Sequence, residues 1–273
     1  MKTITFFYNR YETATTSKAL FENDIDHTVL IHNKKDYEKF KKGKTIYGKT
    51  VITDNPNGLA YQRNSALDML EDGEWAAFLC DDFQKIKSYK KSIILGAISS
   101  LPVTFANQNK YRLKEEISLK QMYEYFPKLI ELAELNNVYL IGFGLHDNPL
   151  NLRNKFNTRG LADGRFWLVK KSDYKFDLNA QLADDVAWTA ENLVRQGNNL
   201  ILNWVVPYFK RYTAGGFGNK EERKELRKKE CAYLVNKYQP LVRIAKKTKW
   251  DYGTHIQIYG TDGNIMAVRR RNY

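Results

Sequence analysis

Two pairs of adjacent carboxylates mark where this chain could do chemistry. Asp81-Asp82 ends the segment EWAAFLCDDF (Glu74–Phe83), and Asp184-Asp185 opens the segment DDVAWTAENLVRQG. Carboxylates at the end of a buried strand meet solvent and ligand together. They can hold a hard divalent cation, which in turn neutralises a leaving diphosphate. A carboxylate facing a hydroxyl can also take its proton. Each pair alone has a plain structural explanation: a strand-end turn for the first, and a helix N-cap, where Asp is favoured, for the second. The phrase Gly58-Leu59-Ala60-Tyr61-Gln62-Arg63-Asn64-Ser65-Ala66-Leu67, one helix before the strand, adds context. Its Asn57-Gly58 turn offers amides at a helix N-terminus, which suits phosphate. Arg63, about one and a half turns in by helix geometry, can grip a phosphate with two parallel bonds.

Further candidates lie along the chain. Tyr8 ends the first strand with Asn9 and Arg10 after it, and Asp54 follows the third. Among four histidines, His255 starts a late strand and His146 follows another, while His27 and His32 read as structural. The loop Arg211-Tyr212-Thr213-Ala214-Gly215-Gly216-Phe217-Gly218-Asn219 places three glycines around one phenylalanine. Such a loop has hinges and an apolar plug, as a lid needs; Arg211 and the amides of Gly215 and Gly216 are expected to reach a diphosphate. Trp204, Tyr208 and Phe209 either wall an acceptor site or pack in the core.

These residues need elements to hold them. Thr3–Tyr8, Thr28–His32 and Thr50–Thr53 read as strands, KKDYEKFKKG closed by Gly43 as a helix, and Leu59–Glu71 as a helix stopped by Gly73. Trp75–Leu79 is a continuous apolar run of the buried, parallel-sheet kind. The alternation predicts an α/β sheet with right-handed crossovers and a ligand beyond the carboxyl ends of its strands. Farther on, Leu119–Asn136 is helical with a break at Pro127. Val138–Phe143, Phe166–Lys170 and Leu200–Val206 are strand-like, and Asp184–Gln196 and Lys220–Asn236 are helices. Gly253–Tyr259 and Ile265–Val268 flank Thr261-Asp262-Gly263-Asn264, a good hairpin turn.

The 273 residues suit one large domain with an appendage, a core over 1–204 and a basic region over 205–273. The core carries 28 basic and 25 acidic side chains, the last region 16 and 6, so most of the +13 net charge is at the end. Lys220–Lys249 interleaves cations with Tyr233, Tyr238 and Trp250, and Arg269-Arg270-Arg271 follows. Cations with aromatics suit nucleic acid, through phosphate contacts and stacking of an extruded base. A solvated lysine-rich surface is the alternative. No apolar run approaches the roughly 20 residues of a membrane span. The start lacks a signal-peptide core, and two distant cysteines, Cys80 and Cys231, suggest neither disulfide nor zinc. The expected compartment is the cytoplasm.

The order G-x-A-x-x-R-N-x-A-L, apolar strand, Asp-rich tip resembles the donor half of GT-A glycosyltransferases. The fold implied is a Rossmann-related mixed sheet flanked by helices, with a basic helical and β extension. The resemblance implies a nucleoside-diphosphate sugar, UDP-linked by expectation, and Mn²⁺ or Mg²⁺. It places the metal on Asp82 and His255, with Asp81 as a helper, and the donor near Tyr8, Asn9, Arg10, Asp54, Gly58, Arg63, Asn64, Arg211, Gly215 and Gly216. Asp185 would be the base that deprotonates the acceptor hydroxyl. Cys80 stands where the family has the first Asp of its pattern, a departure that touches the ribose contact. With the G-L-A-Y-Q-R-N helix, the W-x-x-F-L-x-D-D-F strand, the D-D-V-A-W helix and the R-Y-T-A-G-G-F-G loop, the chain is most similar to TET-associated glycosyltransferases. These include phage enzymes that decorate modified pyrimidines in DNA. The implied acceptor is the hydroxyl of a hydroxymethylated base, in the cytoplasm of an infected bacterium. A carbohydrate or protein acceptor, nucleotidyl transfer, and a non-catalytic nucleic-acid-binding protein with a decayed donor site are the rival readings.

Overall fold

The computed structural model describes residues 1–7, 14–43, 47–56, 58–89, 114–144, 156–210, 220–244 and 256–258. Strand and helix alternate from the start: β1 (Lys2–Phe7), α1 (Thr15–Glu22), β2 (Thr28–Ile31), α2 (Lys34–Gly43), β3 (Lys49–Ile52), α3 (Leu59–Asp68) and β4 (Trp75–Cys80). A hairpin-like pair, β5 (Phe83–Tyr89) and β6 (Lys114–Ile117), precedes α4 (Leu119–Tyr123) and α5 (Phe126–Leu135). Then come β7 (Leu140–Phe143), β8 (Phe156–Asn157), β9 (Phe166–Lys170), α6 (Asp184–Arg195), β10 (Leu200–Leu202) and β11 (Val205–Phe209). The last described elements are α7 (Lys220–Tyr238), β12 (Val242–Ile244) and β13 (Ile256–Ile258).

Eight strands form one mixed sheet in the order β3-β2-β1-β4-β9-β7-β10-β8. The first four run parallel, and β9 enters antiparallel to both β4 and β7. This topology is a mixed α/β sheet with helices on both faces, compatible with the Rossmann-like class. Strand register aligns the ends of three neighbours: Phe6 pairs with Cys80 and Leu79 with Phe166. The carboxyl ends of β1 and β4 therefore meet the amino end of β9 on one edge.

The period-2 geometry of a strand sorts the core. In β4, Trp75, Ala77 and Leu79 face a cluster built with α4 and α5, while Ala76 and Phe78 face α3 and Trp188. Every residue from Trp75 to Leu79 is buried, which is why the run carries no polar alternation. Burial of Phe78 or Leu79 contributes about 1.5–3 kcal/mol each.

Several boundaries differ from the sequence reading. α3 ends at Asp68, capped by Met69, short of Gly73. Leu119–Asn136 divides as expected: Ser118 and Gln121 form a capping box on α4, and Pro127 sits in the first turn of α5, where its missing N–H costs nothing. Leu200–Val206 is two strands parted by a turn at Asn203-Trp204, and β11 leaves the large sheet to pair with β5. β13 pairs with β12; the anticipated partner Ile265–Val268 and its turn lie outside the described residues. α7 packs onto α6 through Cys231, Leu234 and Tyr238 against Ala183, Val186, Ala187, Ala190 and Leu193. The described part of the basic region thus shares a core with residues 1–204. No described helix is long and apolar enough to cross a membrane.

Candidate functional site

The backbone at the tip of β4 is pinned from two sides. Thr15 Oγ1 donates to the Asp81 carbonyl at 2.9 Å, and Thr16 Oγ1 donates to the Cys80 carbonyl at 2.5 Å while accepting from the Phe83 amide at 2.9 Å. The Lys210 amide donates to the Asp82 carbonyl at 2.9 Å, and Phe209 meets Phe83 edge-on. Asp81 is buried and Asp82 half-buried. Burial pushes the Cys80 thiol well above its ordinary range, which disfavours the thiolate.

Because β9 is antiparallel, the loop that precedes it arrives at this same edge. The Cys80 amide donates to the Arg165 carbonyl at 2.9 Å. Arg165 Nε donates to both oxygens of Asp163 at 2.8 Å, its Nη2 also donates to Asp163, and its guanidinium lies 5.5 Å from the Phe209 ring. Burial works against the charge on Arg165, but Asp163, with Cys80 and Asp82 nearby, raises its pKa above the ordinary arginine value. No sequence motif pointed to Asp163 and Arg165. The only available signal was Asp-Gly-Arg immediately before an apolar strand.

Beneath the edge lies a dry layer. Arg63 is 1% exposed, its guanidinium 4.5 Å from the Trp167 ring and flanked by Phe6 and Phe176. It donates through Nη1 to Asp184 and through Nη2 to the Gly164 carbonyl at 2.5 Å, and its Nε has no partner among the described residues. A Cβ on Gly164 would lie 2.9 and 3.0 Å from the Arg63 nitrogens and 3.2 Å from the Asp185 Cβ. A side chain at Gly164 would press on the Arg63 guanidinium and on Asp185. Arg63 was expected to grip a phosphate; enclosed this way, its two Nη atoms bond Asp184 and the Gly164 carbonyl.

A helix cap was the plain structural alternative for the Asp184-Asp185 pair. The cap residue of α6 is Ala183, with no side-chain bond, and Asp184 turns inward to Arg63. An enclosed guanidinium needs a counter-charge more than a helix end needs a cap. Glu230 of α7 satisfies the chain just upstream, accepting from the Gln181 and Leu182 amides at 2.8 and 2.9 Å. Burial pushes the Asp184 carboxyl up against the pull of Arg63, with Asp185 and Glu230 adding to the push. Asp185 is half-buried, and one of its oxygens accepts from the Val186 amide at 2.8 Å. Burial raises its pKa, Arg227 opposes the rise and Asp163 adds to it. Arg227, on α7, also donates to the Leu182 carbonyl.

Neither a protein-family model nor a curated protein matches this chain.

The function of the edge must therefore be read from its groups. Asp82, Asp163, Arg165 and Asp185 come from three separate segments, 80–82, 163–165 and 184–185, and gather over the Arg63 layer. A carboxylate with raised proton affinity beside a clamped guanidinium can pair proton abstraction with stabilisation of a departing anion. A divalent ion fits the described donors poorly. Among the described residues no group of three His, Cys, Asp or Glu side chains could hold one, and Arg165 already brings positive charge beside Asp82.

The remaining expected residues scatter. Asp54 is exposed at the end of β3, three strands from β4, about 14 Å away at ordinary strand spacing. At Gly58 a Cβ would collide with the Gln181 carboxamide, whose oxygen accepts from the Ala60 amide at 3.1 Å. That carboxamide occupies the α3 N-terminus where a phosphate was expected. Asn64 bonds both backbone groups of Phe176, at 3.0 and 2.7 Å, and holds that ring against Trp188. Its amide is thus a structural clamp. Trp204 is in the core, Phe209 carries Arg165, and Tyr208 lies under Lys87 on the small sheet. His27 is buried and bonded to Ser17 at 2.7 Å, and His32 is buried. Tyr8, Asn9, Arg10, His146, Arg211, Gly215, Gly216 and His255, with the Gly-rich loop and Arg269–Arg271, lie outside the described residues.

A second charged cleft, of about 390 Å³, lies between the segment 174–179, α6 and the C-terminal half of α7. Its acids are already matched: Asp177 accepts from Lys237 and Tyr233, and Glu191 from Arg195 and Tyr238. The cations there also face two helix C-termini, whose partial negative charge they offset.

Proposed function

We propose that this chain transfers a sugar from a nucleoside-diphosphate sugar, by expectation UDP-linked, to the hydroxyl of a hydroxymethylated pyrimidine in DNA. The observation that carries the reading is the convergence of the two carboxylate pairs and the Arg63 helix at one sheet edge. The Arg63 helix and the first pair are neighbours in the chain, but Asp184-Asp185 lies far beyond both. In the proposed step Asp185 takes the acceptor proton through the oxygen not bonded to Val186. The acceptor oxygen bonds to the anomeric carbon as the bond from that carbon to the diphosphate oxygen breaks. Arg63 holds Asp184 and the Gly164 loop in place beneath. The DNA acceptor is supported by the charge of residues 205–273, 16 basic against 6 acidic, and by Lys228 and Lys229, exposed on α7 next to Arg227.

The test is a screen of nucleotide-sugars, with and without hydroxymethylated DNA, measuring nucleoside diphosphate release and sugar on the base. Release that depends on the modified DNA and weakens steeply with salt is expected. Failure to turn over any donor overturns the reading, and turnover indifferent to DNA moves the acceptor to a carbohydrate or protein.

A further inference from the structure

The described cations near the strand tip differ in what they can offer an incoming anion. Arg63 is sealed under aromatic rings and committed to Asp184. Arg227 reaches from α7 to the chain before α6. Arg165 is different: its side chain is 27% exposed and its peptide is bonded to Cys80, one residue from the Asp pair. Asp163 takes Nε and Nη2, which leaves the two N–H groups of Nη1 outside that fork. Phe209 lies under the guanidinium and removes another degree of freedom. A guanidinium clamped on one edge and presented on the other matches the paired oxygens of a diphosphate.

We propose that Arg165 is the diphosphate-binding cation of this site, and that Asp163 is the positioning residue that orients it. The inference rests on the donor-site reading and deepens it: the leaving group is held by a guanidinium fixed in the fold, so the nucleoside diphosphate binds without an added divalent ion. Because the guanidinium is preorganised, little reorganisation is needed as charge builds on the leaving oxygen.

The experiment measures binding of UDP, ADP, GDP, CDP and inorganic pyrophosphate to the full chain by calorimetry, in EDTA and in Mn²⁺. Wild type, Arg165→Gln, Arg165→Lys and Asp163→Asn are compared, each checked for folding by thermal melting. The expected result is binding of at least one nucleoside diphosphate in EDTA, weakened tenfold or more by Arg165→Gln and severalfold by Asp163→Asn. Arg165→Lys, which keeps charge but not the fork, falls between, and decides the matter if Arg165→Gln melts early. Binding that vanishes in EDTA, or that survives the loss of Arg165 unchanged, overturns this assignment and leaves the donor-site reading standing. If no nucleoside diphosphate binds wild type in either condition, both fall together.

Discussion

The tip of β4 and the cleft between α6 and α7 are made of the same materials: aspartates or glutamates, arginines or lysines, and aromatic rings. They differ in where the charge sits. In the cleft each acid has its cation at the surface, and burial shifts are outweighed by bonding: Lys237 and Tyr233 hold the Asp177 carboxyl below its usual range despite burial, and Arg195 and Tyr238 do so for Glu191. At the tip, burial wins for both Asp184 and Asp185, whose proton affinities rise. An arrangement that is internally matched has little left to offer a ligand. One that holds carboxylates at raised proton affinity is the kind of arrangement that clusters at functional sites.

That contrast can be broken in graded steps. Arg63→Ala should be the most damaging, because it strands Asp184 without a partner; a loss of about 3–5 kcal/mol in denaturant unfolding is expected. A loss under about 1 kcal/mol would mean water reaches the layer. Asp185→Asn should leave folding nearly intact and lower transfer by roughly 10²–10⁴-fold, the usual worth of a general base. Its pH profile sharpens the point. The base works only when ionised and burial raises its pKa, so kcat/KM should fall with decreasing pH at values above the roughly 3.9 of an ordinary aspartate. A rate unchanged down to that range would remove burial as the activating cause. Lys237→Ala, in the cleft, should be smallest: a stability change of less than about 1 kcal/mol, since the pair is partly solvated, and an unaltered rate. A tenfold loss of activity there would end the distinction between the two regions.

Part of this was readable in the chain. The apolar run Trp75–Leu79 reads as a buried strand by its length and its flanks, the break at Pro127 follows from its missing donor, and the two Asp pairs were placed at element ends by their flanking patterns. The roles within the site were harder. Arg63 and Asn64 look like ligand contacts because polar residues on a helix normally face water; here one neutralises Asp184 and the other splices α3 to Phe176. Asp163 and Arg165 were invisible, since they precede their strand, and in an all-parallel sheet that end lies away from the ligand edge.

What the sequence by itself determined is the alternation of elements and the sites where carboxylates emerge from them, because periodicity reports which face of an element is apolar. Which strands become neighbours, and in which direction, is set by long-range pairing and packing that no local pattern encodes. Only the tertiary structure could decide that β9 runs against β4. That reversal brings the Asp163–Arg165 loop over Arg63, and with it sets the Arg165 cation beside the acidic tip of β4.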